Sequence, residues 1–170
     1  MRTMTPQTLF RLTGIVFGER RNLCKTIRME KGVDYIGVAV CFYCHDSDGN
    51  YVLTKRSASC RDEQGRWDFG GGGVRFGETV IQTLLREIKE EYGTEPVSYE
   101  FLECDEVFRE HDGKRTHWID FRYKVLLNRA LVTNNEPEKH DDIGWFTLDD
   151  LPSPLHSQIE REVEKYKGLL

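Results

Sequence analysis

The stretch GGVRFGETVIQTLLREIKEEYGT, residues 72–94, decides the fold because it joins a glycine-rich run to a helix with one apolar face. From Thr79 to Tyr92 the apolar residues recur at helical spacing and fall within about 140° of arc on a helical wheel. Gly93 follows as a helix stop, since glycine readily adopts the left-handed conformation. The pattern predicts one amphipathic helix whose packed face is formed by Val80, Ile81, Leu84, Leu85, Ile88 and Tyr92.

Three carboxylates lie on this helix beside its apolar face. Glu87, Glu90 and Glu91 are three and four positions apart, so they share one sector of the helix surface. Like charges at this spacing destabilise a helix by about 0.2–0.5 kcal/mol per pair, and a bound cation would reverse the sign. Mg²⁺ takes oxygen ligands, usually one or two carboxylates with waters and phosphate oxygens. An acidic triplet on a helix is more often a solvated face than a metal site. The residues around the triplet are therefore needed to distinguish the two.

The residues around the triplet match a known motif. Residues 72–94 resemble the Nudix box, G-x5-E-x7-R-E-U-x-E-E-x-G-U, in which U is an aliphatic residue. Thr94 replaces the aliphatic residue at the end of the box, which changes local packing and none of the chemistry. The matching residues are Gly72, Glu78, Arg86, Glu87, Ile88, Glu90, Glu91 and Gly93.

The resemblance continues on both sides of the box, over about residues 33–152. WDFGGGG (67–73) is similar to the family's lead-in W-x-x-P-G-G, with Gly70 in the place of the proline. EPEKHDDIGWFTLDDLP (136–152) is similar to the segment before the last helix in MutT-like nucleoside triphosphate pyrophosphohydrolases. The chain is therefore identified as a member of the Nudix hydrolase superfamily, most similar to this MutT-like branch.

Membership implies an α+β fold, an α/β/α sandwich around a mixed β-sheet, and hydrolysis of a nucleoside diphosphate linked to a group X. It also implies a divalent metal, Mg²⁺ or Mn²⁺. The stretch FREHD (108–112) lacks two markers of relatives, the Pro common in ADP-ribose pyrophosphatases and the Tyr of enzymes acting on dinucleoside polyphosphates. A (deoxy)nucleoside triphosphate, oxidised or not, is the expected substrate. The alternatives are ADP-ribose, a nucleotide sugar, or a non-catalytic module that binds a nucleotide and regulates a partner.

The resemblance also assigns roles to individual residues of the box. Glu87, Glu90 and Glu91 are the expected metal ligands, together with the backbone carbonyl of Gly71. Glu90 and Glu91 also belong to the expected catalytic set. Arg86 is expected to orient these carboxylates through charge-assisted hydrogen bonds.

The general base is less closely defined, since the family uses either a glutamate of the box or one from a later loop. Glu138 is the late-loop candidate because it lies seven residues before Trp145. A small shift in register would give the role to Glu136 or Asp141.

Substrate contacts are expected outside the helix. Gly72 and Gly73 belong to a run of four glycines, where the missing Cβ lets the backbone approach phosphates. Lys55 and Arg56 end a predicted strand and could either hold phosphates or form a solvated strand end. Glu78 is expected to cap free N–H groups at the start of the helix. Four aromatic residues are candidates for stacking on a base, with core packing as the alternative for each: Tyr35, Phe108, Trp118 and Phe121.

Strand patterns flank the central helix on both sides. Runs rich in β-branched and aromatic residues alternate with turn sequences such as HDSDGN and HDGK. Strands before and after one helix, plus a helix at the end of the chain, predict a mixed sheet covered on both faces. The predicted strands are 35–44, 51–56, 99–109, 116–127 and 143–148, and the predicted final helix is 155–166.

Composition excludes several classes of protein. The chain has 170 residues, 38% of them hydrophobic, which suits one domain with an ordinary core. Its net charge of −5 argues against stable nucleic-acid binding, since phosphate contacts need a basic surface. The longest uncharged apolar run, 36–44, is about half of what a membrane-spanning helix needs. The composition therefore predicts a cytoplasmic protein with no membrane partner, and the resemblance to the Nudix family implies a small-molecule nucleotide substrate.

The number of cysteines is consistent with a cytoplasmic protein. Their number, five, is odd, which is typical of reduced thiols in the cytoplasm. Cys41 and Cys44 form a CxxC pair, but no second pair stands at similar spacing. They are therefore expected as strand residues that point to opposite faces rather than as zinc ligands.

Charge is unevenly distributed along the chain. Residues 1–31 carry seven basic and two acidic side chains, which predicts a basic N-terminal extension before a Nudix domain at 32–170. Packing of the extension on its own domain or on a second copy is favoured over an RNA-binding tail. A homodimer stays open, since dimers are common in the family.

Overall fold

The computed structural model describes residues 29–111 and 113–170. Most of the predicted basic extension, including six of its seven basic side chains, lies outside the described residues. In the part that is described, no helix combines the length and the apolar character needed to cross a membrane.

The described residues form one connected sheet of seven strands, flanked by two α-helices. A short 3₁₀-helix, Arg129–Leu131, precedes the last strand. The strands are β1 (Gly37–His45), β2 (Asn50–Arg56), β3 (Trp67–Asp68), β4 (Gly70–Gly73), β5 (Ser98–His111), β6 (Lys114–Leu126) and β7 (His140–Thr147). The helices are α1 (Val80–Tyr92) and α2 (Ile159–Tyr166).

The sheet is mixed, as predicted. β1 runs parallel to β6 on one side and antiparallel to β4 on the other, and β5 pairs antiparallel with β6. β2 lies between β3 and β7, antiparallel to both. β1 and β2 share a single register pair, His45 with Tyr51, next to their turn. Beyond that point the two strands take different partners, since β1 pairs with β4 and β2 pairs with β3.

Side chains alternate across β1 and so build a core on each face of the sheet. Val40 and Phe42 pack with Leu84 and Ile88 of α1. On the other face, Tyr43 packs in a second cluster with Ile159 and Tyr166 of α2. The predicted α/β/α arrangement is confirmed. The cysteine prediction also holds, since Cys44 lies in the α1 core whereas Cys41 lines a cavity on the opposite side.

Helix α1 begins one residue later than predicted and is capped by Thr79. The Thr79 hydroxyl accepts a hydrogen bond from the Gln82 amide at 3.1 Å, and the Gln82 side chain accepts one from the Thr79 amide at 2.8 Å. Glu78 is therefore not the cap that the sequence suggested. At the other end Gly93 adopts the left-handed conformation, with φ of 69°, which confirms the predicted stop.

One strand and one helix boundary differ from the prediction for identifiable reasons. Glycine is a poor strand former, so β4 was not predicted, yet it pairs with β1 from Ala39 to Phe42. Helix α2 begins at Ile159 instead of residue 155. The residues before it are extended, because Leu155 forms a β-bridge with Trp67 and the His156 amide donates to the Trp67 carbonyl.

Candidate active site

A cavity of about 310 Å³ opens on the α2 face of the sheet, next to the glycine strand β4. Its lining includes the four glycines of β4 and Glu91 of α1. Arg109 on β5 and Trp118 on β6 also line it. The loop 57–66 and the residues leading into α2 form the rest of the wall. The cavity therefore brings Glu91 of α1 together with residues of strands far from α1 in sequence.

Glycine is required in β4 because two carboxylates of α1 occupy the space that side chains on this strand would take. A Cβ on Gly72 would lie 2.0 Å from Oε1 of Glu87. A Cβ on Gly70 would lie 2.7 Å from Oε2 of Glu91 and 1.9 Å from the Phe42 ring. All three distances are shorter than the contacts that a Cβ atom makes in real proteins. The glycine strand thus lets two carboxylates of α1 lie directly against its backbone.

Glu91 is a buried carboxylate with incomplete hydrogen bonding. Only 6% of the residue is exposed, and Oε1 accepts a long hydrogen bond, 3.4 Å, from the Gly71 amide. Oε2 is buried and has no hydrogen-bond partner among the described residues. Burial, followed by the neighbouring charge of Glu87, raises the pKa of Glu91 well above its ordinary value. Such a group is stabilised by a cation placed beside it.

Arg86 connects the acidic residues of α1, as the sequence predicted. Its Nη1 donates to Glu87 at 2.7 Å and to Glu90 at 2.9 Å, and its Nε donates to Glu78 at 2.8 Å. Hydrogen bonding to Arg86 is the main cause that lowers the pKa of Glu78 to about 2. The pKa of Glu87 is raised by burial in spite of its bond to Arg86. Arg86 therefore holds two of the predicted metal ligands in place.

The acidic residues of α1 fit a divalent cation in part. Over residues 29–111 and 113–170, no three His, Cys, Asp or Glu side chains form a ready-made metal cluster. Glu87 and Glu90 instead share one nitrogen of Arg86. Two observations nevertheless fit a hard cation: the unpartnered buried oxygen of Glu91, and the carboxylate of Glu87 that lies where Gly72 has no side chain. An all-oxygen donor set is also the one that Mg²⁺ and Mn²⁺ prefer.

The late loop exposes two of its three candidate carboxylates and shields the third. Its Asn135 amide donates to the Glu91 carbonyl at 3.0 Å, so the loop is bound to the end of α1. The side chain of Glu138 is exposed, while its carbonyl accepts a hydrogen bond from Ser57 at 2.7 Å. Glu136 exposes only 14% of its side chain, and its charge contributes to the raised pKa of Glu91, after burial and Glu87. Asp141 is exposed.

Lys55 and Arg56 lie on opposite faces of β2, because successive strand residues alternate. Arg56 lines the cavity, and its guanidinium donates to Asp62 at 2.8 Å and to Asp68 at 3.2 Å. Lys55 is not among the cavity-lining residues. The structure therefore brings Arg56 to the cavity with Gly72 and Gly73, and it separates Lys55 from them.

A buried ionic network in the cavity wall was not found by sequence reasoning. Asp62 accepts from Arg56 and Arg61, and Arg109 lies 3.6 Å away. Burial raises the pKa of Asp68 to about 6, and burial lowers the pKa of His156 to about 4. These residues come from five segments of the chain: β2, the loop 57–66, β3, β5 and the residues before α2. The charges of these residues do not predict that the side chains lie together, because only the pairing of the strands brings them into contact.

Comparisons with known proteins agree with this geometry. The family model described as NUDIX domain matches residues 35–166. Nucleoside triphosphatase NudI from Klebsiella pneumoniae (strain 342) is 31% identical over 133 residues, which cover 73% of this chain and 92% of NudI. 8-oxo-dGDP phosphatase NUDT18 from Mus musculus is 26% identical over 135 residues, which cover 77% of this chain but 38% of that protein.

Solved structures show the same architecture. A MutT NUDIX hydrolase from Burkholderia pseudomallei superposes with a TM-score of 0.67 and 30% identity, covering 76% of this chain and 97% of that one. A MutT protein from Methanosarcina mazei Go1 superposes with a TM-score of 0.63 at 20% identity, covering 79% of this chain and 94% of that one.

Proposed function

The chain belongs to the Nudix family of pyrophosphohydrolases, and we propose that it hydrolyses a (deoxy)nucleoside triphosphate, oxidised or not, to the monophosphate and pyrophosphate with the help of a divalent metal. The observation that carries this proposal is the unpartnered buried oxygen of Glu91 beside the glycine strand of a 310 Å³ cavity. A nucleoside triphosphatase, NudI, that is 31% identical to the chain supports the choice of substrate.

The α1 glutamates would hold the metal. Glu87, Glu90 and Glu91 supply carboxylates, and Mg²⁺ or Mn²⁺ is the expected ion. When bound, such an ion neutralises phosphate charge and lowers the pKa of a coordinated water. The Gly71 amide already donates to Glu91, and the N–H and C=O of one strand residue point to the same side. The Gly71 carbonyl therefore faces the same group of carboxylates.

Other residues of the chain prepare the site for a phosphate chain. Arg86 holds Glu87 and Glu90 with hydrogen bonds of 2.7 and 2.9 Å, so these ligands need little reorganisation. Gly72 and Gly73 leave backbone accessible along the cavity wall. Arg56 contributes a positive charge on the same wall, whereas Lys55 lies on the other face of β2.

We assign the late-loop base to Glu136 in preference to Glu138. A general base has to lie within reach of the proton that it removes. Glu136 is shielded from solvent and lies close enough to Glu91 to influence its ionisation. The side chain of Glu138 is exposed, and neither glutamate is among the residues that line the cavity.

Release of phosphate in a coupled assay tests the proposed function. The full chain is incubated with deoxynucleoside triphosphates, oxidised nucleotides, ADP-ribose and nucleotide sugars, with and without Mg²⁺ or Mn²⁺, and products are detected with added pyrophosphatase and phosphatase. We expect metal-dependent turnover of triphosphates, reduced at least tenfold in Glu91→Gln. Glu164→Gln, on the exposed side of α2, is the matched control and should retain full turnover.

Each other outcome would contradict part of the proposal. Turnover restricted to ADP-ribose or nucleotide sugars would replace the substrate class while keeping the reaction. Nucleotide binding without turnover of any compound would make the chain a regulatory binding module. Equal turnover by the wild type and Glu91→Gln would remove the assigned metal centre.

A further inference from the structure

The three glutamates of α1 differ in how many arginines compensate their charge. Glu87 accepts a hydrogen bond from Arg86 at 2.7 Å. Glu90 accepts from Arg86 at 2.9 Å, and its two oxygens also accept from a second arginine, Arg75, at 3.2 and 3.3 Å. Among the contacts of the described residues, Glu91 accepts from neither arginine. Glu90 is therefore the glutamate at which arginine opposes a metal ion most directly.

Arg75 reaches Glu90 from the turn between β4 and α1. Its amide donates to Oε2 of Glu78 at 3.2 Å, and its carbonyl accepts from the Glu78 amide at 3.0 Å. Gly77 lies inside this turn with a φ of 89°, in the left-handed region that favours glycine. Glu78 is itself held by Arg86, whose Nε donates to it at 2.8 Å. The backbone of Arg75 is therefore fixed beside the start of α1.

The side chain of Arg75 is held less firmly than that of Arg86. Arg75 exposes 59% of its side chain, whereas Arg86 exposes 16% and forms ion pairs with three carboxylates. An exposed ion pair contributes little to folding stability, because water competes for both partners and the long side chain loses entropy. The arrangement of the glutamates therefore depends on Arg86, and the main effect of Arg75 is on the charge of Glu90.

The positive charge of Arg75 acts against a divalent cation at the same carboxylate. Arginine stays protonated in proteins, so a change of pH does not remove this charge. A cation that binds Glu90 is repelled by the guanidinium and competes with it for the same two oxygens. Without a metal, the same guanidinium relieves the repulsion between Glu90 and Glu87, which are three positions apart on the helix. Arg75 therefore favours the metal-free form of the site.

We propose that Arg75 is a built-in counter-ion of Glu90 that weakens the binding of the metal and so sets the free metal concentration at which the site fills. This inference rests on the metal site of the proposed function and concerns its regulation. Arg75 is a positioning residue in this role, because it acts on the metal through Glu90.

Binding of metal without nucleotide tests the proposal on the full chain. Metal-free protein is titrated with MnCl₂ at constant ionic strength, and free Mn²⁺ is measured from its electron paramagnetic resonance signal. Arg75→Gln removes the charge, so its Kd for Mn²⁺ should be about threefold to tenfold lower than that of the wild type. Arg75→Lys keeps the charge, and its Kd should stay within about twofold of the wild type.

The matched control is Arg115→Gln. Arg115 lies on β6 with 89% of its side chain exposed, and its guanidinium is 3.4 Å from Glu110. This variant changes the net charge by the same amount but leaves Glu90 with both of its arginines, so it should keep the wild-type Kd. A purely structural role of Arg75 predicts a different result. Arg75→Gln would then lower Tm equally with and without Mn²⁺, and its Kd would not fall.

Three results overturn the proposal in distinguishable ways. If Glu91→Gln weakens Mn²⁺ binding but Arg75→Gln keeps or raises the wild-type Kd, the role of Arg75 is wrong while the proposed metal site stands. If the Kd falls equally in Arg75→Gln and Arg115→Gln, net charge alone determines the affinity. If the wild type binds no Mn²⁺, or Glu91→Gln binds it as tightly as the wild type, the metal site of the proposed function fails and this inference fails with it. Thermal melting of each variant confirms that the Kd is measured on folded protein.

Discussion

At the scale of single residues, the site depends on carboxylates that are held in unfavourable surroundings. Glu91 is buried beside Glu87, and its pKa is raised by burial and then by that neighbouring charge. Arg86 compensates Glu87 and Glu90 but donates no hydrogen bond to Glu91. A protein gains nothing in stability from such an arrangement without a cation. Residues of this kind are typical of functional sites.

The two loop glutamates give a prediction at the same scale. Glu136→Gln should lower kcat by at least tenfold, because the nearest shielded carboxylate of the loop loses its ability to accept a proton. Glu138→Gln should change kcat by less than twofold, since that side chain is exposed. Steady-state kinetics with a saturating triphosphate and Mg²⁺ measure both variants. The opposite ranking would return the role to Glu138.

At the scale of elements, the sequence predicts what depends on local pattern. Helix α1 and its stop at Gly93 follow from the apolar period and one glycine, and both are observed. The strand β4 does not follow, because it exists only through pairing with β1. The start of α2 was placed four residues early, since the bridge between Leu155 and Trp67 joins distant parts of the chain. Local signals predict elements whose ends are also determined locally.

The cap of α1 gives a prediction for an element. Thr79→Ala removes the hydroxyl that accepts from the Gln82 amide, which should lower the free energy of unfolding by about 1 kcal/mol. Thr79→Ser keeps the hydroxyl and should remain within about 0.5 kcal/mol of the wild type. Urea unfolding of both variants measures the difference. An equal loss in the serine variant would show that packing of the threonine methyl group matters more than the cap.

At the scale of the whole molecule, the family, the sandwich and the acidic helix were predictable, and the cavity was not. The Nudix box places Glu87, Glu90 and Glu91 on one helix sector by spacing alone. Arg109 and Asp120 come from strands outside the box, and only the pairing of β5 with β6 and of β6 with β1 brings them to the cavity. The proposed metal ligands on α1 thus lie in one segment of the sequence, whereas the residues that line the cavity are brought together only by the topology of the sheet.

Metal binding gives a prediction for the stability of the whole domain. A ligand that binds only the folded state stabilises it by RT ln(1 + [L]/Kd), or about 1.4 kcal/mol at ten times Kd. For a domain of this size we expect Tm to rise by roughly 3–6 °C when millimolar Mg²⁺ is added to metal-free protein. Differential scanning fluorimetry measures the rise.

Two comparisons separate a bound ion from general screening of charge. NaCl at the same ionic strength screens exposed charges equally well but cannot coordinate buried carboxylates, so it should leave Tm within about 1 °C. Glu91→Gln replaces the unpartnered buried carboxylate by a neutral amide, and it should melt at least as high as the wild type without metal. The same variant should lose most of the Mg²⁺-dependent rise, because it lacks one ligand charge. A full rise in Glu91→Gln, or an equal rise with NaCl, would mean that the acidic face of α1 responds only to ionic strength.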